Sequence, residues 1–404
     1  MNRRVVITGI GIVSSIGNNK HEVLESLQEV KSGLSYSEEF NKYNYSSQVY
    51  AKPSLDIYSS IDRKIARFMG DGAAYAYLSM REAIEDANLE ESQVSNPRTG
   101  IICGTGGTSF QNTIATVDIV REKGIRKVGP FMVPRIMNSS AAANLAVAFK
   151  IKGINYSISS ACATSAHSIG NGMELIQWNK QDIVFAGGGE EVNWIAAAPF
   201  DAMGALSSKY NETPQTASRP YDANRDGFVI AGGGGILVLE ELEHALARGA
   251  KIYAELIGYG ATSDGNDMVR PSGEGAVRAM RLALENNDSK IDYINAHGTS
   301  TPAGDIQELE AIGEIFENNI PPISSTKALT GHSLGAAGVQ EAIYSILMME
   351  NSFLTPSANI EVLDQGAKDF PILRKIEQKE INAALSNSFG FGGTNASLVF
   401  RKFS

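Results

Sequence analysis

One cysteine, two histidines and a glycine-rich bend hold most of the chemical potential of this chain, and each stands where a turn can expose it. Cys162 follows a β-prone run, Asn155-Tyr-Ser-Ile-Ser, and precedes a helix-period segment from Ala163 to Trp178. In such a strand-to-helix turn the unpaired N–H groups and the positive helix end stabilise a thiolate, which makes Cys162 a nucleophile. A small buried thiol filling space is the other reading of the same residue. Cys103 ends a β-prone run before Gly104-Thr-Gly-Gly, has no helix start behind it, and reads as packing.

His297 closes an apolar run, Ile291-Asp-Tyr-Ile-Asn-Ala-His, at the strand end where α/β folds place ligands. His332 lies in Lys327-Ala-Leu-Thr-Gly-His-Ser-Leu-Gly. Flanked by glycine and threonine, both imidazoles can hydrogen-bond a substrate, although each can equally be a satisfied core histidine. His167 points to a different helical face from Cys162 and reads as structural, while His21 and His244 sit among charged residues and take no role. The bend in Ser386-Asn-Ser-Phe-Gly-Phe-Gly-Gly-Thr-Asn joins two strands. It can bring backbone N–H groups against a bound oxyanion, or serve as an ordinary hairpin.

Two rival motifs fail. Gly331-His-Ser-Leu-Gly335 fits a serine nucleophile elbow around Ser333, but that fold needs a histidine downstream of the serine and none follows His332. Gly9-Ile-Gly11 follows the first strand, yet Ser14 occupies the third glycine position of a dinucleotide fingerprint.

Elements that could position these groups alternate along the chain. Short β-prone runs such as Val5–Gly9, Thr99–Cys103, Asp182–Ala186, Gly235–Glu240, Ile252–Tyr259, Ala383–Ser386 and Ala396–Arg401 are interleaved with helix-period segments. Those segments include Glu22–Val30, Arg63–Asn88, Ala276–Asn286, Asp305–Phe316 and Val339–Glu350. The pattern predicts an α/β chain with buried sheets. Two loose internal echoes suggest duplication: Arg4–Ser15 with Ile252–Ser263, and Cys162–Gly170 with His332–Gln340. They divide the chain into halves of residues 1–250 and 251–404.

Of 404 residues, 43% are hydrophobic and 20% charged, which suits a globular protein of this size and not a disordered one. The longest apolar runs, such as Ile343–Met349, fall short of a membrane span. Two cysteines far apart fit a reducing compartment, so the cytoplasm is expected. Five histidines without His/Cys pairs at ligand spacing give no support for a metal. A formal charge of −10 speaks against general nucleic-acid binding.

Together, Ser159-Ser-Ala-Cys162-Ala-Thr-Ser-Ala, Asn295-Ala-His297-Gly-Thr-Ser-Thr, Lys327 with Thr330-Gly-His332-Ser-Leu-Gly-Ala-Ala-Gly, and Asn387-Ser-Phe-Gly-Phe-Gly-Gly-Thr-Asn resemble the β-ketoacyl-acyl carrier protein synthases, in the same order and nearly end to end. The bacterial type I branch is the most similar. The resemblance implies a thiolase-like fold, two related halves in a five-layered α-β-α-β-α arrangement, and an obligate homodimer. It implies a decarboxylating condensation in which Cys162 takes an acyl chain from acyl carrier protein and malonyl-carrier then attacks it, giving a 3-oxoacyl-carrier two carbons longer. His297 and His332 would stabilise the enolate, Lys327 and Glu308 would order the site, and the N–H groups of Cys162 and Phe391 would hold an oxyanion. Thr299 and Thr301 would bind the pantetheine arm, and Gly107, Met137 and Phe200 would line the acyl tunnel, open at Gly107 where type II relatives carry a bulky gate. Ser109-Phe-Gln is shorter than the type I counterpart, which bears on tunnel shape. No cofactor enters, since the substrates ride on the phosphopantetheine of the carrier. Arg63, Lys64 and Arg67, at one-turn spacing, and Lys123, Arg126 and Lys127 would dock the acidic carrier, because screening lets a local cluster outweigh a negative whole. A type II or polyketide-type condensing enzyme, a serine acyltransferase using Ser333 and a carrier-binding scaffold are the alternatives; a non-catalytic chain-length factor would lack Cys162.

Overall fold

The computed structural model describes residues 3–285 and 289–403. Ten strands form one extended sheet: β1 (Val5–Val13), β2 (Thr99–Gly104), β3 (Asn155–Tyr156), β4 (Ile183–Glu190), β5 (Gly233–Glu241), β6 (Ala254–Ser263), β7 (Tyr293–Asn295), β8 (Ile323–Ser324), β9 (Ala383–Gly390) and β10 (Thr394–Arg401). Their spatial order is β8-β7-β9-β10-β6-β1-β5-β4-β2-β3.

That order contains the same motif twice. In the first half β1 runs antiparallel to β5 and β5 antiparallel to β4, while β4, β2 and β3 are mutually parallel. In the second, β6 is antiparallel to β10 and β10 to β9, while β9, β7 and β8 are parallel. The halves meet through β1 and β6, where only Val6–Glu255 and Ile7–Ala254 are paired. After β5 the chain makes a short helix, Leu242–Ala247, and the motif restarts at Ala254.

The principal helices are α1 (Asp71–Asp86), α2 (Phe110–Lys123), α3 (Thr164–Gln177), α4 (Trp194–Ala202), α5 (Glu274–Leu284), α6 (Pro302–Phe316) and α7 (Ala337–Asn351). Helices α3 and α7 lie between the halves: Ile169, Met173, Ile343 and Leu347 share one core with Val184 and Leu239 of the first half and Leu398 and Phe400 of the second. A second core packs α1 against the outer face of the first half, with Ala73, Leu78, Ile101 and Phe185. A third packs α5 and α6 on the second half, with Val277, Leu309, Ile294 and Val399. Helix, sheet, helix, sheet and helix thus alternate, in the thiolase-like arrangement.

Two local expectations change. The helix-period run Arg63–Asn88 is two helices, Arg63–Ala66 and α1, because Gly70 is extended at the break and lies so close to Ser109 that a Cβ there would stand 2.8 Å from its Oγ. The strand before Cys162 is only Asn155–Tyr156, since Ser157 turns its hydroxyl onto the Cys103 carbonyl at 2.7 Å and leaves the sheet. Lys123 closes α2, a 14-residue helix with no buried residue. Of the expected helix Ala276–Asn286, α5 covers the residues to Leu284, and Asn286 lies outside the described residues.

Candidate active site

Cys162 sits on a sharp turn two residues before α3. Ala161 takes a left-handed φ of 49°, which a residue with a Cβ adopts only under constraint. The constraint is Thr164, whose hydroxyl accepts from Ser160 N at 2.8 Å and donates to Ala161 O at 2.7 Å. No side chain caps α3, and the N–H groups of Cys162 and Phe391 both reach Sγ.

His332 is held by its backbone, with its N–H 2.8 Å from Val229 O and its carbonyl 2.9 Å from Ala231 N. Its Nε2 lies 3.0 Å from Cys162 Sγ. His297 leaves the end of β7 with its N–H donating to Glu308 Oε1 at 2.8 Å, and Gly298 N donates to Oε2 at 2.8 Å. Asn387 Nδ2 donates to the same Oε1 at 3.1 Å. The imidazoles of His297 and His332 stand edge to face, centroids 5.2 Å apart. Behind them, Lys327 is fully buried and its Nζ pairs with the Glu341 carboxylate.

The charges follow from this burial. Burial first, then the positive Lys327, holds His332 well below the usual histidine range, and His297 is lowered by burial, Lys327 and His332. Both rings are therefore neutral near pH 7, each with one N–H to donate and one nitrogen to accept. Burial pushes the Cys162 thiol up to about 12, against the opposing pull of Lys327 and the N–H groups of Phe391 and Cys162. Opposing that burial, Cys162 stands at the start of α3, is only half-buried and looks onto an open pocket. Cys162, His297 and His332 also offer ligand atoms within 4.8 Å of one another. However, the Nδ1 atoms of both rings have no partner among the described residues, whereas metal-bound histidines ordinarily anchor the remote nitrogen.

A cavity of about 410 Å³ opens onto these groups, lined among others by Cys162, His297, His332, Thr299, Thr301, Phe200 and Phe391. Asp264, Asp267, Val269 and Arg270 also line it. Cysteine, imidazoles and N–H donors at one end of a largely apolar pocket can transfer an acyl group and stabilise an oxyanion.

Comparison with known proteins agrees with this geometry. The family described as "Beta-ketoacyl synthase, N-terminal domain" matches residues 2–245, and its "C-terminal domain" matches residues 253–361. This chain belongs to the β-ketoacyl synthase family. A Haemophilus influenzae protein named 3-oxoacyl-[acyl-carrier-protein] synthase 1 is 60% identical over 403 residues, 99% of each chain. A crystal structure of a β-ketoacyl synthase from Burkholderia phymatum superposes with a TM-score of 0.93 at 34% identity, covering 100% of both chains. A type II polyketide ketosynthase solved with its acyl carrier protein and bound to the hexaketide has a TM-score of 0.90 at 30% identity, again covering 100% of both.

Not every residue picked out from the sequence joins this ketosynthase pocket. Of the three tunnel residues only Phe200 lines it; Gly107 and Met137 border a separate space of about 20 Å³ with Glu190, Glu191 and Arg135. Beside that small space the Glu190 carboxylate accepts from Gly106 N at 2.7 Å and Gly335 N at 2.9 Å, and the Phe110 ring stands against Gly107. Ser333 is buried and donates to Gln340 Oε1 at 2.6 Å, which removes it as a nucleophile. Arg63, Lys64, Arg67, Lys123, Arg126 and Lys127 are all exposed, and none makes an ion pair among the described residues. Arg67 stacks on Phe68 and Phe131, centroids 4.8 and 5.1 Å away, which brings the first cluster against the segment that follows the second. Glu341, Asn387 and Glu190 were missed. Glu341 had a signal, an acid in the otherwise uncharged stretch Ala337–Met349 of a buried helix.

Proposed function

We propose that this β-ketoacyl synthase is a type I condensing enzyme of fatty-acid elongation. Cys162 takes an acyl group from acyl carrier protein and passes it to a malonyl unit, and the observation that carries this reading is Cys162 Sγ at 3.0 Å from His332 Nε2 with His297 beside it. In loading, sulfur gives up its proton to solvent as it attacks the acyl-carrier thioester, and His332 keeps its Nε2–H as a donor beside Sγ. The oxyanion lies on the N–H groups of Cys162 and Phe391, and the carrier thiol leaves with a proton. Malonyl-carrier then enters, and Thr299 and Thr301 in the pocket wall bind its pantetheine. The C–CO2 bond breaks, the electron pair forms an enolate, and neutral His297 and His332 donate to its oxygen. The carbanion carbon attacks the Cys162 thioester, the tetrahedral oxyanion collapses, and the cysteine sulfur leaves as a thiolate that takes a proton from solvent, the one proton that decarboxylative condensation consumes. Lys327 and Glu308 hold the pair of histidines and take no part in bond-making.

The exposed cations at 63, 64, 67, 123, 126 and 127 receive the acidic carrier. A second copy of the chain covers the face that carries α2, where Phe110, Ile114, Val120 and, further on, Val133 and Val147 stand exposed beside the sheet edge at β3, so the enzyme works as a homodimer. No cofactor takes part. No helix among the described residues is long and apolar enough to cross a membrane, and the site of action is the cytoplasm. Purified enzyme given acyl-carrier and malonyl-carrier yields a 3-oxoacyl-carrier two carbons longer by mass spectrometry; release of free acid with no condensation product would overturn the reading. A panel of primers separates type I from type II preference, and light scattering at micromolar concentration tests the dimer.

A further inference from the structure

The two N–H groups on Cys162 Sγ come from different halves of the fold. That of Cys162 rides on the turn before α3, and that of Phe391 on the glycine turn between β9 and β10. An oxyanion hole works only if such donors keep a fixed separation. Gly390 packs so closely on the nucleophile turn that a Cβ there would stand 3.1 Å from both Cys162 N and Ser160 O. Close packing alone sets a minimum distance and no maximum. Among the described residues no backbone hydrogen bond joins segment 159–163 to segment 389–395.

His167 supplies the missing tie. It lies on α3, one turn beyond the nucleophile, with Nδ1 2.7 Å from Ser160 Oγ and Nε2 3.3 Å from the carbonyl of Asn395. A carbonyl only accepts, so the proton is on Nε2, and Nδ1 accepts from the Ser160 hydroxyl. The Nδ1 contact with the Ser160 hydroxyl as donor needs a neutral ring, and burial lowers the His167 pKa accordingly. The edge-to-face Tyr259 ring, centroids 6.3 Å apart, supports the imidazole. At the far end, Asn395 faces Phe389 in the β9–β10 ladder, and its side chain donates to Asp264 Oδ1 at 2.8 Å in the pocket wall. The chain Ser160–His167–Asn395 thus runs from two residues before the nucleophile to the strand leaving the oxyanion turn.

We propose, on the reading that Cys162 and Phe391 form the oxyanion hole, that His167 is a positioning residue which sets the spacing of those two donors by bridging Ser160 to the Asn395 carbonyl. It touches neither substrate nor sulfur. Its loss weakens the two steps that pass through a tetrahedral oxyanion, acyl loading and condensation. It spares decarboxylation, whose enolate oxygen rests on His297 and His332.

The test uses three variants of the whole enzyme. His167→Phe keeps the ring and removes both contacts; acyl loading and condensation kcat fall about ten- to hundredfold. The KM for acyl-carrier stays within about twofold, and uncoupled malonyl decarboxylation within about threefold. His167→Asn restores only the acceptor to Ser160, and His167→Gln only the donor to Asn395, so each falls between wild type and Phe. Wild-type condensation in His167→Phe overturns the proposal, and so does parallel loss of decarboxylation and condensation in all three variants. If His167→Phe does not fold, the Asn and Gln variants decide on the same ratio. A wild-type enzyme that never loads Cys162 refutes the proposed function instead, and that failure is read before any variant is made.

Discussion

Glu308→Gln changes one atom in a carboxylate that holds the catalytic strand end, and the hydrogen bonds around it fix the consequence. Glu308 is 5% exposed and accepts from three donors: His297 N and Asn387 Nδ2 on Oε1, and Gly298 N on Oε2. Glutamine keeps the shape but has one acceptor oxygen. With that oxygen at the Oε1 position, the new NH2 faces the Gly298 N–H; with the amide reversed, two donors lose their partner. At least one buried N–H is left unsatisfied, at a cost of about 1–3 kcal/mol. The strand end relaxes and His297 moves with it, and a shift on the order of 1 Å costs roughly a hundredfold in a positioned reaction. Conversion of malonyl-carrier to acetyl-carrier, followed by mass spectrometry, is expected to slow about ten- to hundredfold. Alkylation of Cys162 by iodoacetamide, which does not pass through His297, stays within about twofold. Decarboxylation at the wild-type rate, or an equal loss of alkylation, would refute the reasoning.

Lys64→Glu with Arg67→Glu raises the KM for acyl-carrier substrates about tenfold and flattens its salt dependence, while a small acyl thioester reacts as before; equal loss with both substrates places docking elsewhere. Gly107→Ile must displace the Phe110 ring, already 3.0 Å from a Cβ at that position. Long primers should lose at least tenfold more kcat/KM than short ones, and an unchanged profile across primer length shows that the acyl tunnel runs elsewhere. Burial pushes the Glu190 carboxyl up to about 8 from an ordinary 4.5. The folded protein therefore holds a proton that the unfolded chain has lost, and stability falls as pH rises between those values, by about 1.4 kcal/mol per unit of the gap. Glu190→Gln keeps an acceptor for Gly106 and Gly335, so its melting temperature should be flatter from pH 5 to 9 and exceed wild type at the alkaline end; parallel curves would show that Glu190 is ionised throughout.

What could be read from the sequence depended on whether a residue's neighbours were its chain neighbours. The nucleophile turn, the strand end at His297 and the glycine bend at Phe391 were legible because short local patterns fix each of them. Their convergence was not, because it depends on the pairing of β9 with β7 and on α3 and α7 sharing one core, contacts between residues far apart in the chain. The break at Gly70 reflects a close approach to Ser109 that no local periodicity encodes. Gly107 and Met137 were placed with Phe200 by resemblance, whereas in the single chain they border a small space apart from the one that Phe200 lines.

Acyl transfer to Cys162 is the central claim, and peptide mass mapping tests it most directly. Enzyme incubated with acyl-carrier alone should gain one acyl mass, confined to the peptide containing Cys162, absent in Cys162→Ala, and discharged when malonyl-carrier is added as a 3-oxoacyl-carrier two carbons longer appears. An acyl adduct on Ser333 or Cys103, or condensation product from Cys162→Ala, would contradict it.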